Sequence, residues 1–261
     1  MFSFNHIGNH GHLGNQMFQY AATKGLARKH NRDFMIAPNE VFGKHYYTTL
    51  RSNIDDCFDI KCQRGISNFP THEERHFHFD EETFENPPKN NVNLLGFFQS
   101  DKWFKHIDDE IREDFTFKPE IYDVAKNIRD SFSEKTTSIH IRRTDFVTNG
   151  NHVSQKMDYY EEALTLVPQD ANVLIFSDEP EWCKHQDLFS GDRFLVSEVN
   201  DPYIDLCLMT LCDYHIMANS TFSWWAAYLA KSKMVIAPKT WNPDTNPLNT
   251  KDLYCDGWIL L

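Results

Sequence analysis

Short apolar runs alternate along the chain with longer stretches whose apolar residues recur at helical spacing. Residues 2–7 read as a strand, followed by a turn-rich loop that holds Gly8, Gly11 and Gly14. From Asn15 to about Lys29 the pattern is helical, with Met17, Tyr20, Ala21, Leu26 and Ala27 largely on one face. Residues 33–37 form a second strand that stops at Pro38. A strand, a glycine loop, a helix and a strand in that order open a parallel, Rossmann-like sheet.

The stretch 40–90 is less regular, rich in His, Asn, Asp and Glu, and ends in a loop over 86–91. Beyond it the pattern predicts a buried strand over 91–98 and a helix over 103–111. A further helix starts at Pro119, near the first turn where proline is tolerated, and runs to about Phe132. A second α/β series begins at Thr136, with strands over 137–141, 172–176, 194–196, 214–217 and 235–237. Helices over 158–167, from Pro180, over 202–211 and over 222–230 lie between them, with Asp158 as the N-cap of the first. The expected architecture is α/β in two Rossmann-like domains, 1–118 and 119–261, with no internal repeat or low-complexity tract.

Composition changes this picture little. Hydrophobic residues are 41% and charged residues 25% of the 261, the balance of a soluble globular protein. The 21 Phe are mostly core packing. A net charge of −12 argues against nonspecific attraction to nucleic acid or an anionic membrane, so an anionic ligand must be held by a local cationic site. Acidic residues crowd into 73–85 and 108–114 and read as solvated faces. The six cysteines contain no CxxC pair, and the equal spacing of Cys57/Cys62 and Cys207/Cys212 matches no strong zinc or redox signature. Cys207 and Cys212 sit in an apolar run and read as buried thiols. The N-terminus does not read as a signal peptide, and no apolar stretch approaches bilayer length, which makes the cytoplasm the expected compartment.

In open α/β sheets ligands collect beyond the carboxyl ends of the strands. Four polar clusters fall at such places: Gly11–Gln16, His140–Asp145, Ser177–Asp178 and Asn219–Ser223. Two adjacent arginines at a strand end are poor core fillers, and a guanidinium fork suits phosphate oxygens. Asp145 is placed to orient one of them, and His140 to donate to a phosphate or tune the site. Spacing alone leaves another reading open, in which Arg142 pairs with an acid across a domain interface and Arg143 is solvated. Asn219-Ser220-Thr221 before an apolar helix is an N-cap signature, and such a helix start also suits an anion. Ser177-Asp178 reads as a cap for the helix at Pro180, or as a carboxylate able to accept paired donors from a guanine edge. GxGxxG, GxxxxGK[ST] and D-x-D are all absent, so no carboxylate pair is evident for a cation bridging a diphosphate. Arginines and helix dipoles would supply that compensation instead. His72, His76 and His78, with Glu73 and Glu74, form a competing metal-binding cluster, although stray histidines are common in a chain with 13 of them.

Read together, the clusters resemble the bacterial α-1,2-fucosyltransferases. Gly11-His-Leu-Gly14-Asn15-Gln16-Met17-Phe18-Gln19-Tyr20-Ala21 is similar to that family's opening motif. His140-Ile-Arg142-Arg143-Thr-Asp145 resembles an element shared with α-1,6- and protein O-fucosyltransferases. Asn219-Ser220-Thr221-Phe222-Ser223-Trp224-Trp225-Ala226 resembles the family's C-terminal motif, and Gly96-Phe-Phe-Gln99-Ser100 another segment. The matches keep the family's order and span almost the whole chain.

The resemblance implies a GT-B arrangement, two Rossmann-like domains facing a cleft, with the N-terminal one reduced. The C-terminal domain would hold GDP-β-L-fucose and the N-terminal domain a galactose-containing acceptor glycan. Fucose would pass with inversion to a galactose 2-hydroxyl, with no cofactor and no metal. By position, Arg142 would neutralise the leaving diphosphate, and Arg143, His140 and Asp145 would support the nucleotide site. Asp178 would read guanine, Asn219, Ser220, Thr221, Phe222 and Ser223 would line the phosphates, Gly14 would help hold the donor, and Asn15 would face the reacting centre. Where the related α-1,6 enzymes have a basic Glu, this chain has Gly150; His152, Asp158 and Asp145 are the candidate bases. The expected location is the cytoplasm, including the inner-membrane surface where lipid-linked glycans are assembled. Two alternatives carry different expectations: a non-catalytic carbohydrate- or nucleotide-sugar-binding protein, and a metal-dependent hydrolase built on His72, His76 and His78.

Overall fold

The computed structural model describes residues 1–7, 11–38, 53–132, 135–150 and 152–261. The expected loop over 8–14 falls partly outside these, as does the first part of the irregular stretch 40–90. Two compact units emerge, one of residues 1–118 and 249–255, the other of 119–248 and 256–261. The chain passes from one unit to the other between Lys118 and Pro119. The second domain had been expected to run unbroken through 119–261. Residues 249–255 instead return to the first unit, where Leu253 is buried and Asp252 pairs with Lys102 at 2.6 Å.

The first unit contains β1 (Phe2–Phe4), α1 (Leu13–Lys29), β2 (Phe34–Ile36), α2 (Ile54–Cys57), β3 (Gln63–Arg64), β4 (Thr71–Glu73), α3 (Glu81–Glu85), β5 (Val92–Leu95) and α4 (Asp108–Asp114). Its five strands lie in the order β3-β2-β1-β5-β4, every pairing parallel. They are two to four residues long, and aromatic packing makes up for so small a sheet. Phe4 meets Phe98 edge-on at 6.0 Å, Phe98 meets Trp103 at 5.2 Å, and Tyr20 packs on Phe115 at 5.6 Å.

Two expectations in this unit change. The strand ends at Leu95 rather than 98, because the chain turns so sharply that Phe98 takes φ 55°. The helix over 103–111 resolves into two 3-10 turns, Asp101–Trp103 and Lys105–Ile107, before α4 begins at Asp108. Phe104 at φ −139° breaks the helical run so that Trp103 and Phe104 can both be buried.

The second unit contains α5 (Pro119–Asp130), β6 (Thr136–Ile141), α6 (Thr144–Thr148), α7 (Met157–Leu166), β7 (Asn172–Ser177), α8 (Pro180–Lys184), β8 (Phe194–Val196), α9 (Pro202–Thr210), β9 (Tyr214–Ile216), α10 (Thr221–Leu229), β10 (Met234–Ala237) and β11 (Ile259–Leu260). The strand order is β11-β10-β9-β6-β7-β8, again wholly parallel. Ile139, Ile141, Val173, Ile175, Ile216 and Ile236 fill its core, β-branched residues suited to strands covered on both faces. One cap differs from expectation. Lys156 occupies the N-cap of α7 and Asp158 lies exposed in its first turn.

All six cysteines are free, four of them buried, Cys207 and Cys212 included. Among the described residues no helix is long and apolar enough to cross a membrane.

The β6–β9 register pairs Ser138 with His215, and the serine hydroxyl meets His215 Nδ1 at 2.7 Å. Burial pushes the His215 pKa down to about 4, against small upward pulls from the Cys212 backbone and Asp213. The unfolded chain therefore takes up the proton first. Stability contributed by neutral His215 is complete above about 6.5 and is lost as the pH falls from there towards 4. His215→Asn cannot titrate in this range. Urea unfolding at pH 7 and pH 5 should show the wild type losing on the order of 1–3 kcal/mol and the variant losing less; equal losses would reassign the acid sensitivity to other groups.

Candidate functional site

In the second unit the chain leaves β6 towards β7 on one side, while β9 lies on the other. The carboxyl ends of β6 and β9 thus flank a topological switch point, where open parallel sheets offer a crevice. His140–Asp145 follows β6 and Asn219–Ser223 follows β9, so two of the expected clusters meet there. Their rings make the link directly, with the His140 and Phe222 centroids 5.4 Å apart.

Arg142 is held by two carboxylates of its own unit. Its Nη2 lies 2.6 Å from Asp145 and its Nη1 3.2 Å from Asp178. Arg143 is not solvated: its Nε donates to Glu179 at 2.7 Å, and its guanidinium lies 3.7 Å from the Trp182 ring. The alternative of an interface pair beside a solvated arginine therefore does not describe either residue.

Asp178 neither caps α8, whose N-cap is Glu179, nor stands free to read a base. One carboxylate oxygen accepts the Arg143 amide at 2.9 Å, and the other accepts the Thr144 hydroxyl beside Arg142. These bonds fix the path of the chain out of β6, so Asp178 positions the arginines.

His140 is buried, and burial lowers its pKa to about 4, with Asp178 pulling it up and Arg142 pushing it further down. It is a neutral imidazole at pH 7, a hydrogen-bonding group rather than a phosphate-binding cation. Its Nδ1 is buried with no partner among the described residues.

Ser220 is the N-cap of α10, its hydroxyl accepting the Phe222 amide at 3.3 Å. Asn219 donates to the Val153 and Trp241 carbonyls at 2.9 and 2.8 Å, tying two loops to the start of this helix. Ser223 departs from its expected role. It is buried and its hydroxyl donates to the Ala218 and Ser220 carbonyls, which leaves Ser220, Thr221 and Phe222 as the accessible part of the helix start.

Of the candidate bases, His152 stacks on Phe146 at 4.5 Å, and Phe146 in turn lies 5.6 Å from the Arg142 guanidinium. Partial burial lowers the His152 pKa, offset by Asp145 and reinforced by Arg142. A Cβ at Gly150 would meet nothing within 4 Å. Asp205, which sequence reasoning passed over, is half-buried in the first turn of α9 at the same edge of the sheet. It accepts the Ser197 hydroxyl at 2.7 Å, and burial raises its pKa to about 6. In sequence it looks like one more acid after a helix-opening proline, and only burial distinguishes it.

Gly14 and Asn15 belong to the first unit, in the first turn of α1. Gly11 has φ 101°, and a Cβ there would fall 1.8 Å from the Asn15 side chain, so only glycine fits. Gln99 donates to Asn15 Oδ1 at 3.1 Å. β1 and β5 flank the switch point of this sheet, so Asn15 and Gln99 link their ends as His140 and Phe222 do in the second unit.

The competing histidine cluster does not form a metal centre. His72 lies 3.3 Å from the Thr83 hydroxyl, and His76 stacks on His78. Among the described residues no three His, Cys, Asp or Glu side chains are grouped to hold an ion.

The family model for glycosyl transferase family 11 matches residues 2–261. An α-1,2-colitosyltransferase of Escherichia coli is 31% identical, over 95% of this chain and 96% of the relative. The galactoside α-(1,2)-fucosyltransferase 1 of Plecturocebus brunneus is 26% identical, over 90% of this chain and 68% of the relative. Among solved structures, NodZ α-1,6-fucosyltransferase soaked with GDP-fucose superposes with a TM-score of 0.56 at 14% identity, covering 94% of this chain and 96% of that one. At that identity the likeness shows the fold, a GT-B-like α/β architecture with parallel sheets.

Asp178→Ala removes the acceptor of the Arg143 amide and the Thr144 hydroxyl. It should lower stability to urea by about 1–3 kcal/mol and speed hydrogen exchange at the Arg143 amide. Unchanged protection at that amide would mean that the carboxylate does not hold the loop.

Proposed function

The chain belongs to glycosyl transferase family 11, and from that membership we propose that it transfers L-fucose from GDP-β-L-fucose, with inversion and without a metal, to the 2-hydroxyl of a galactose residue in a glycan. The observation that carries this reading is the placement of Arg142 and the start of α10 on either side of the β6/β9 switch point. One supplies a guanidinium fork, the other the positive end of a helix dipole, and both favour the charge of a departing diphosphate.

The diphosphate takes Arg142 from Asp145 rather than from Asp178. The Asp145 carboxylate is 43% exposed against 18% for Asp178, so water solvates it more readily once the pair opens. The Ser220 hydroxyl and the positive end of the α10 dipole meet the remaining oxygens, and neutral His140 donates without adding charge. Guanine reading moves from Asp178 to Asp205. Burial raises this carboxylate's pKa to about 6 against the Ser197 hydrogen bond, and a guanine N–H pair would stabilise its charged form.

In the transfer step the galactose 2-hydroxyl oxygen bonds to fucose C1 as the C1–O bond to GDP breaks. The electron pair of that bond leaves on the diphosphate, and the hydroxyl proton passes to His152. A lowered pKa keeps this imidazole neutral and able to accept. Exposed Asp158 lies in a solvated helix turn and gives way to it. The absence of D-x-D supports a scheme in which arginine and helix amides replace a bridging cation.

The colitosyltransferase relative favours one second reading, with colitose as the sugar passed. GDP-fucose and GDP-colitose, each offered with β-galactosides and followed by GDP release and linkage analysis, separate the two. Arg142→Ala should lower kcat about 10²–10³-fold, while EDTA leaves the wild-type rate unchanged. Full activity in Arg142→Ala, or loss of activity in EDTA restored by a divalent cation, would defeat the scheme. GDP-sugar binding with no transfer to any galactoside would favour a binding protein instead.

A further inference from the structure

Three consecutive strand ends in the first unit converge on one turn. β4 ends beside Glu74, β5 runs into the turn at 96–100, and β1 leads to the start of α1. Glu74 accepts two successive backbone amides of that turn, from Phe97 at 2.7 Å and from Phe98 at 2.9 Å, one on each carboxylate oxygen. Phe98 has φ 55°, a conformation that an aromatic L-residue holds only when its surroundings impose it. A Cβ at Gly96 would lie 2.4 Å from Glu74 Cβ, so the glycine lets the acid side chain lie flat against the turn.

The turn so held has two outputs. Gln99 is 6% exposed and donates to Asn15, while Gln19 of α1 donates to the Gly96 carbonyl at 3.2 Å. Phe97, two residues before Gln99, is 39% exposed, and a flat aromatic face suits the apolar side of a pyranose. We infer that Glu74 is a positioning residue for acceptor binding: by clamping the Phe97 and Phe98 amides it sets the Gln99–Asn15 pair and the Phe97 ring against which the acceptor sugar lies. This inference rests on the transferase reading above, with the first unit, Asn15 included, taken as the acceptor side that the sequence resemblance implies.

Burial outweighs the two amide bonds and pushes the Glu74 pKa up to about 7, with Asp80 adding a small upward pull. Asp80 is itself paired with Arg75 at 2.7 Å, so the charge facing Glu74 from that side is largely compensated. The carboxylate form accepts both amides and the protonated form can serve only one well. The clamp is therefore half populated near pH 7, strengthens above that value and weakens below it.

Glu74→Gln is nearly isosteric and can accept one amide while its own NH₂ opposes the other. With saturating GDP-fucose, its kcat/KM for a β-galactoside should fall about 10²-fold, mostly through acceptor KM. The dissociation constant for GDP, measured by calorimetry, should match that of the wild type. The rise in wild-type acceptor affinity with pH near 7 should vanish in the variant. An unchanged acceptor KM, or a parallel loss of GDP affinity and thermal stability, would overturn the assignment by showing either no role or a merely structural one. Hydrogen exchange at the Phe97 and Phe98 amides reads the clamp without any turnover. Faster exchange in Glu74→Gln supports the clamp, and unchanged exchange overturns it. Wild-type protein that transfers nothing to any galactoside defeats the transferase reading and the acceptor role with it, whatever the state of the clamp.

Discussion

Arg142 is shared between Asp145 and Asp178, and what the second unit can bind depends on how that sharing is broken. Two guanidiniums at the end of β6 face three carboxylates, those of Asp145, Asp178 and Glu179. The cluster is thus no simple positive patch. Its cations are held in fixed geometry by acids that differ in exposure, and the more exposed acid is the one that a stronger anion displaces. The same acids prevent Arg142 and Arg143 from collapsing onto the protein surface in unrelated conformations. A preorganised guanidinium costs less to engage than a freely rotating one.

Both units solve the same problem with the same device. A parallel sheet built outward from a central strand leaves a gap between the carboxyl ends of two neighbours, and side chains from the following loops must define it. In the second unit the link is a ring contact, His140 against Phe222. In the first it is a side-chain amide pair, Asn15 with Gln99, suited to hydroxyl-rich ligands. The amide link matches the sugar proposed for the first unit, while in the second unit the diphosphate is left to Arg142 and the start of α10.

Much of the fold was legible because it follows from local pattern. Five of the second unit's six strands fall within a residue or so of their expected ends, since apolar β-branched runs bounded by polar loops have few other uses; the two-residue β11 carries too little pattern to be read. The α10 start was legible as well, because Ser220 caps it with its own hydroxyl. What escaped notice depends on partners distant in sequence. Edge strands β3 and β4 have exposed or half-exposed residues and no apolar signature, so they exist only through pairing with β2 and β5. The turn at Phe98 needs Glu74, 24 residues away, and the loop at Arg143 needs Asp178, 35 residues away. Ser223 was misplaced for a related reason. A serine in the first turn of a helix resembles an anion ligand until its burial is known.

The net charge of −12 sharpens what these contacts must achieve. A long-range field of that sign repels a nucleotide diphosphate, and salt screens such a field within about 10 Å. On the proposed reading, attraction comes from groups that act at contact distance: the Arg142 fork, the positive end of α10 and the Ser220 hydroxyl. Such donors discriminate by direction more than by charge, since an anion gains from them only when its oxygens lie where the donors point. An acidic protein that bound a diphosphate in this way would give up the fast capture that a basic surface provides. In exchange its own carboxylates hold the arginines in register, and other polyanions find no broad patch to occupy.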